Sequence, residues 1–302
     1  DNNSINKIIK LKKMSNIHGF SNFPANNGDV RIGNSITGSS NSDRDDQIFV
    51  RSLYKLRSVT AILLILNLSI FFIQIFAFYL YFNKNNQSWS CLLVTFGAFQ
   101  GGKIKNHYQY SRFISATFLH DSMVHVGSNC LSLFFIGFQV ENEIKNKLYY
   151  FLLYMISGLI GHFNSLLFNV NSISVGASGA IIGLDGYFVI YFLLNYRNMS
   201  ERKRYSYGTM FFFLFINLFS GLAEGGEHIN MAAHMGGFIG GFCVSIILAY
   251  KMNYRMQYGN PSMKKMYYCS IVVLVIYPII SLIHLYLKKV GNAADFVCRV
   301  KN

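Results

Sequence analysis

The sequence is poor in charged residues and in proline. Only 13% of its 302 residues are Asp, Glu, Lys or Arg, and three are Pro, whereas 52% are hydrophobic and 16% aromatic. A water-soluble domain usually carries about 25% charged residues. The composition therefore excludes an ordinary soluble domain and predicts a membrane protein.

Acidic residues are scarcer than basic ones, with 13 Asp and Glu against 27 Lys and Arg and a formal net charge of +14. Such an excess can indicate nucleic-acid binding, but these basic residues lie between apolar segments and not on one predicted face. Lys and Arg in loops orient membrane proteins in the bilayer. We therefore expect the lipid bilayer as the partner, and no nucleic acid.

Residues 1–55 lack a hydrophobic core pattern and are rich in Asn, Ser and Gly. We expect them to form a disordered tail. No apolar segment of the signal-peptide kind lies near the start, so we expect no cleavable signal peptide there.

Seven apolar segments are long enough to cross a bilayer core, which takes roughly 20 helical residues. They are Val59–Phe82, Met123–Val140, Leu148–Val170, Val175–Tyr196, Gly208–Ala223, Met231–Tyr250 and Met266–Leu287. The sequence therefore predicts an all-α membrane protein with seven spans.

Loop charges predict the orientation of these spans. The short loops at residues 171–174 and 225–230 contain no Lys or Arg, whereas the segment before the first span and the loops after the second, fourth and sixth spans are basic. Because basic loops stay in the cytoplasm, the N-terminus is predicted to be cytoplasmic.

Four polar residues interrupt the apolar segments at a similar depth. Ser178, His234, His125 and Asn129 each lie a few residues inside the outer end of a span, which is roughly 4–10 Å at 1.5 Å per residue. Ionisable groups are costly inside a membrane and indicate function.

These residue types fit nucleophilic catalysis. A His can take the proton of a Ser hydroxyl, and amide or imidazole donors can stabilise the oxyanion that forms. Gly176 and Gly179 would let a substrate backbone approach Ser178. Taken singly, the serine fits helix packing, and the histidine and asparagine fit interhelical hydrogen bonds. Their common depth favours a catalytic site.

Four motifs resemble those of the rhomboid intramembrane serine proteases. They are "FLHDSMVHVGSN" at 118–129, "GFQVE" at 137–141, "GASGA" at 176–180 and "AHMGGFIGG" at 233–241. They occur in the family's order and spacing, and the resemblance covers roughly residues 55–250.

The resemblance implies Ser178 as the nucleophile and His234 as its base, with no acidic third member. The sequence has no HExxH motif and no grouped metal ligands, so we expect no metal, and we expect no cofactor. The resemblance also implies His125, Asn129 and the Ser178 N–H as the oxyanion donors. Supporting roles would fall to Gly176, Gly179, Gly237, Gly241, Arg112, His120 and Glu141.

The sequence departs from the family pattern at three positions. Ser111 stands where members often have Trp, and Ile182 stands where many have an aromatic residue that stacks on the catalytic His. Without an aromatic ring at position 182, the orientation of His234 is in question. Asp185 lies deeper on nearly the same helix face; we expect a protonated, hydrogen-bonded structural residue, with a role in water access or substrate gating as the alternative.

Six core helices followed by a seventh resemble the eukaryotic secretase-type rhomboids, and the Asn- and Lys-rich tail resembles apicomplexan proteins. The chain would then divide into a cytoplasmic tail (1–55), a six-helix protease core (56–252), and a linker, seventh helix and C-terminal tail (253–302). The fifth span would be a lateral gate.

The implied substrates are single-span, adhesin-like surface proteins, which would be cut near the outer face. The implied location is a membrane of the secretory pathway, a secretory organelle or the cell surface. The alternative function is a rhomboid-like pseudoprotease that binds membrane helices without cutting them.

The sequence contains five cysteines, so at least one cannot form a disulfide within the chain. Cys91 and Cys298 are both predicted on the outer side, where disulfides persist, and could pair. The other three lie inside spans, where a small hydrophobic role is expected.

Overall fold

The computed structural model describes residues 58–168, 170–201, 204–205, 208, 231–252, 261–290 and 298. Within these ranges the chain is helical and forms no β-strand, which confirms the all-α prediction. Its helices are α1 (Val59–Phe82), α2 (Trp89–Phe96), α3 (Gly101–His107), α4 (Arg112–Ser115), α5 (Met123–Ile144), α6 (Lys147–Phe168), α7 (Ser178–Asn195), α8 (Met231–Met252) and α9 (Pro261–Leu287).

Six of these helices are long and apolar enough to cross a membrane: α1, α5, α6, α7, α8 and α9. They correspond to six of the seven predicted spans. The predicted fifth span, Gly208–Ala223, lies outside the described residues except for its first position, and so does the predicted tail at 1–55. The remaining spans establish an integral multi-pass membrane protein.

Helix α5 contains a π-helical segment at Leu133–Gly137 and continues as α-helix to Ile144, one turn past its predicted end at Val140. The extra turn contains Glu141, whose carboxylate accepts hydrogen bonds from the backbone N–H groups of Val59 (2.8 Å) and Thr60 (3.0 Å). The first N–H groups of a helix have no partner within the helix, and an anion there is favourable. Glu141 therefore caps α1, which is why the charge does not end α5.

Helix α7 is the most buried span and packs against both α6 and α8, which also contact each other. Glycines line its contact with α8. A Cβ added at Gly237 would lie 2.7 Å from the carbonyl carbon of Gly179, and one added at Gly241 would lie 2.5 Å from that of Gly183. The two backbones are thus in direct contact, as small residues permit in membrane helices.

The loop between α1 and α5 contains three short helices, and Arg112 joins them. Its guanidinium donates to the carbonyl oxygens of Val94 (2.9 Å) and Ala98 (2.7 Å) and to the Gln109 side chain (2.7 Å). These contacts close the end of α2 against α4. Arg112, which was predicted to have a supporting role, is therefore buried and holds the loop together.

Helix α9 is fixed at its C-terminal end to the loop between α1 and α5. The Lys105 ammonium donates to the carbonyl oxygens of Tyr286 (2.9 Å) and Lys288 (2.6 Å), where a cation complements the helix dipole. A disulfide joins Cys91 to Cys298, which confirms the predicted pairing. The loop between α1 and α5, the C-terminal end of α9 and Cys298 therefore lie on the same side of the helix bundle.

A second connection links α9 to the start of α8. The Tyr277 hydroxyl of α9 donates to the side-chain oxygen of Asn164 in α6. The Asn164 amide in turn donates to the Ala232 carbonyl oxygen at 2.6 Å. Asn164 thus bridges α9 and the first turn of α8.

Candidate active site

Ser178 is the first residue of α7, and the segment before it enters the helix sharply. Gly176 has a φ of +122°, a conformation that side-chain-bearing residues rarely adopt, and its N–H donates to the Ala116 carbonyl at 2.9 Å. Phe99 and Ser174 exchange backbone hydrogen bonds of 2.9 and 3.0 Å. These contacts explain why α7 begins three residues after the predicted start of the span, and they place the Ser178 N–H at an open helix end.

His234 lies in the first turn of α8, beside Ser178. Its Nε2 is 2.8 Å from the Ser178 Oγ, so the hydroxyl can donate to the ring. The opposite nitrogen, Nδ1, is buried and has no hydrogen-bond partner among the described residues. Across those residues the two side chains therefore form a pair without an acidic third member.

His125 and Asn129, one turn apart on α5, approach the segment before Ser178. A Cβ placed on Gly176 would lie 2.7 Å from the His125 Nε2 and 3.5 Å from the Asn129 Nδ2. The Asn129 Nδ2 is buried and finds no acceptor within the part of the chain that is described. Two side-chain nitrogens thus converge beside Ser178 from a neighbouring helix.

A cavity of about 100 Å³ opens at this convergence. It is lined by the four predicted polar residues together with Gly176 and Gly179, and further by Ser128, Ser132, Gly158, His162, Ser174, Val175, Ala180, Ile181, Ile182 and Ala233. The volume and the polar lining suit several water molecules. The site therefore combines a serine, a histidine and space for water.

Asp121 is a site residue that the sequence reasoning missed. Its Oδ1 lies 2.8 Å from the His125 Nδ1. It stands four residues before His125, and an acid at that spacing from a predicted oxyanion donor is the signal that would have found it.

His120 lies next to this pair and is completely buried. Gln74 of α1 holds its backbone, donating to the His120 carbonyl at 3.0 Å and accepting from the His120 N–H at 3.2 Å. Burial, with a smaller contribution from His125, lowers the pKa of His120 to about 3. His120 is therefore neutral at physiological pH, and its backbone ties the site to α1.

Ile182 and Asp185, the two positions after Ser178 that depart from the family pattern, are both buried in α7. Ile182 lines the cavity with an aliphatic side chain, at the position where the family resemblance implies an aromatic ring. The Oδ2 of Asp185 has no hydrogen-bond partner among the described residues. The hydrogen bond that we expected for Asp185 is therefore not made by its Oδ2 among these residues.

Residues 107–251 match the Rhomboid domain family. RHOMBOID-like protein 2 of Arabidopsis thaliana is 37% identical over 133 residues, which cover 44% of this chain and 41% of the relative. RHOMBOID-like protein 1 of the same plant is 37% identical over 145 residues, covering 48% and 36%. The chain thus spans about two fifths of the length of these plant relatives.

A longer match comes from a bacterium. Rhomboid protease AarA of Providencia stuartii is 31% identical over 206 residues, which cover 59% of this chain and 67% of the relative. Fold and site together define a polytopic membrane protein with a serine–histidine pair beside a cavity that is partly lined by polar side chains. The chain belongs to the rhomboid family.

Proposed function

We propose that this chain is an intramembrane serine endopeptidase that cuts transmembrane segments. The observation that carries the proposal is the 2.8 Å contact between the Ser178 Oγ and the His234 Nε2, beside a cavity whose lining includes polar side chains. Such a distance suits direct proton transfer from nucleophile to base. Membership of a family that includes a bacterial rhomboid protease supports the same activity.

The reaction would proceed in two steps. The Ser178 Oγ attacks the carbonyl carbon of the scissile peptide bond while its proton passes to the His234 Nε2. The oxyanion would accept hydrogen bonds from the Ser178 N–H, the His125 Nε2 and the Asn129 Nδ2. The C–N bond then breaks as His234 returns the proton to the leaving amine, which leaves an acyl-enzyme on Ser178.

Water completes the cycle. A water molecule from the cavity gives a proton to His234 and attacks the acyl carbon, and the second tetrahedral intermediate collapses to release the carboxylic acid and regenerate Ser178. The cavity provides room for that water next to the base.

We further propose that cleavage occurs near the outer face. The site lies at the N-terminal ends of α5, α7 and α8. Basic residues stand at or just beyond the opposite ends of these helices: Lys145, Lys147, Arg197 and Lys251. Since basic ends stay in the cytoplasm, the N-terminus would be cytoplasmic and the site would face outward.

The order of the helices supports a secretase-type rhomboid, with a core over 56–252 and α9 as the additional C-terminal helix. Single-span surface proteins, including adhesin-like ones, are the proposed substrates. A helix must unwind before its peptide bond can be attacked, so substrates should carry Gly or other weak helix formers near the outer end of their span.

The test is cleavage of a panel of single-span reporters by the purified protein in liposomes. Wild type is expected to release a fragment whose new terminus, located by mass spectrometry, lies in the outer half of the span. Ser178→Ala should release none, whereas Ser262→Ala, at an exposed serine of α9 far from the site, should cut normally. Equal cleavage by Ser178→Ala would overturn the proposal, and binding of reporters without cleavage would favour a pseudoprotease.

A further inference from the structure

Asp121 and His125 form a close pair at the entrance to α5. The Asp121 Oδ1 lies 2.8 Å from the His125 Nδ1, and the two side chains are only 19% and 18% exposed. Ser122, the residue after Asp121, accepts a hydrogen bond from the His125 N–H at 3.1 Å and caps α5. The cap and the pair together fix the His125 ring in one orientation.

The proton positions on this ring follow from its partner. An ionised carboxylate only accepts hydrogen bonds, so the His125 Nδ1 must carry a proton toward Asp121. A neutral imidazole has a single N–H, and its Nε2 would then be an acceptor. An Nε2 that donates to an oxyanion therefore requires the doubly protonated ring.

The Nε2 points toward the reacting centre. It lies 2.7 Å from the position of a Cβ on Gly176, two residues before Ser178, and the Asn129 Nδ2 lies 3.5 Å from the same point. Asp121 holds the far side of the ring. The ring thus connects a carboxylate on one side with the proposed oxyanion position on the other.

We propose that Asp121 is a positioning residue that holds His125 as an imidazolium with its Nε2–H directed at the oxyanion. This inference rests on the proposed protease function and adds to the Ser178–His234 pair a carboxylate that acts through the oxyanion donor and not through the base. An ionised pair makes a stronger hydrogen bond than a neutral one, and a cation opposite a developing anion stabilises the transition state more than the ground state.

The titratable neighbours of His125 are compatible with a cation there. His120 meets the His125 ring edge-on with 5.2 Å between the ring centres, and it is neutral because burial keeps its pKa near 3. His234 must also be neutral to act as a base. Among the residues that the structure describes, the Asp121 carboxylate is the acidic group that contacts the ring.

The first test is Asp121→Asn, which keeps an oxygen able to accept from the His125 Nδ1 but removes the charge. We expect kcat to fall about 10- to 100-fold with KM within about twofold, since a weakened oxyanion donor acts on the transition state. The matched control is Glu143→Gln, which removes a carboxylate from the far end of α5 and should leave kcat unchanged. A wild-type kcat for Asp121→Asn would overturn the proposal.

The pH profile separates charge from orientation. If the carboxylate acts through its charge, the loss in Asp121→Asn should be smallest in acid and should grow toward alkaline pH. A loss of equal size at every pH would mean that Asp121 only orients the ring.

A pair of inhibitors gives a readout that general damage would not reproduce. A peptide aldehyde forms a hemiacetal with a catalytic serine and places an oxygen in the oxyanion position, whereas the matching peptide amide binds without forming it. Asp121→Asn should weaken the aldehyde by the same factor as kcat/KM and leave the amide unchanged. Equal weakening of both would contradict the proposal.

A double-mutant cycle covers the case in which Asp121→Asn is also less stable. If Asp121 acts through His125, then Asp121→Asn should have no further effect on the residual rate in a His125→Ala background. Additive losses would overturn the inference. The proposed protease function would stand in that case, because its own test is the loss of cleavage in Ser178→Ala.

Discussion

Replacing Gly237 by Ala should separate the two helices that bring serine and histidine together. The added Cβ would lie 2.7 Å from the carbonyl carbon and 3.0 Å from the Cα of Gly179, whereas ordinary contact begins at 3.4 Å. These two atoms and the still closer carbonyl oxygen of Gly179 all belong to helix backbone, so α7 and α8 must separate by about 0.7 Å or more in a close-packed interior. A shift of that size would lengthen the 2.8 Å contact between the Ser178 Oγ and the His234 Nε2 to about 3.5 Å.

A misplacement of about 1 Å in a catalytic pair can cost about 10²-fold in rate, so we expect kcat of Gly237→Ala to fall roughly 30- to 100-fold. Overpacking should also lower the free energy of unfolding by about 1–3 kcal/mol. The assay is the initial rate of reporter cleavage in liposomes, with thermal unfolding followed in parallel.

The matched control is Gly127→Ala in α5, where an added Cβ meets nothing within 4 Å. It should cleave at the wild-type rate. A Gly237→Ala protein that cleaves within twofold of wild type would refute the reasoning, because the helix contact would then not set the distance between nucleophile and base.

Three other variants test separate parts of the structure. Asn129→Ala removes a proposed oxyanion donor and should lower kcat about 10²- to 10³-fold; a change confined to KM would contradict that role. Tyr277→Phe removes the hydroxyl that donates to Asn164 and should cost about 1 kcal/mol of unfolding free energy, seen as a lower Tm, whereas the exposed Tyr268→Phe should leave Tm unchanged. The pKa of His120 is about 3 in the folded protein against 6.5 for a free side chain. As the pH falls below 6.5, the unfolded chain therefore binds a proton that the folded protein does not. The free energy of unfolding should drop by up to about 1.4 kcal/mol per pH unit down to pH 3. His120→Leu should remove that part of the slope of Tm against pH, and an unchanged slope would contradict the burial of a neutral ring.

The spans and the candidate site could be predicted because both leave local signals. A membrane-crossing helix needs a continuous apolar segment, so its length is visible in the sequence. Ser178 and His234 stood out as polar residues in such segments, and the family motifs around them fixed the pairing. The pairing of Cys91 with Cys298 could be proposed because the topology placed both on one side.

Contacts between distant segments could not be read in the same way. The cap that Glu141 forms on α1 joins residues about 80 positions apart, and nothing in the local pattern distinguishes a capping carboxylate from a helix end. The bridge from Tyr277 through Asn164 depends on which faces of α6, α8 and α9 meet. Such faces are set by the packing of all the helices together, which no single segment encodes.

Asp121 is a different case, because its spacing to His125 was visible and only its role was not. A carboxylate beside a helix start most often serves as a cap or a favourable charge. In this chain the neighbouring Ser122 takes the capping role, which leaves Asp121 to contact the His125 ring.

The most direct test of the proposed function is to map the adduct of a fluorophosphonate probe on the purified protein by peptide mass spectrometry. The probe reacts with a serine whose hydroxyl is activated by a base. We expect a single adduct on Ser178 in the wild type and none in His234→Ala. An adduct on another residue, or equal labelling of Ser178 without His234, would contradict a serine–histidine pair at this site.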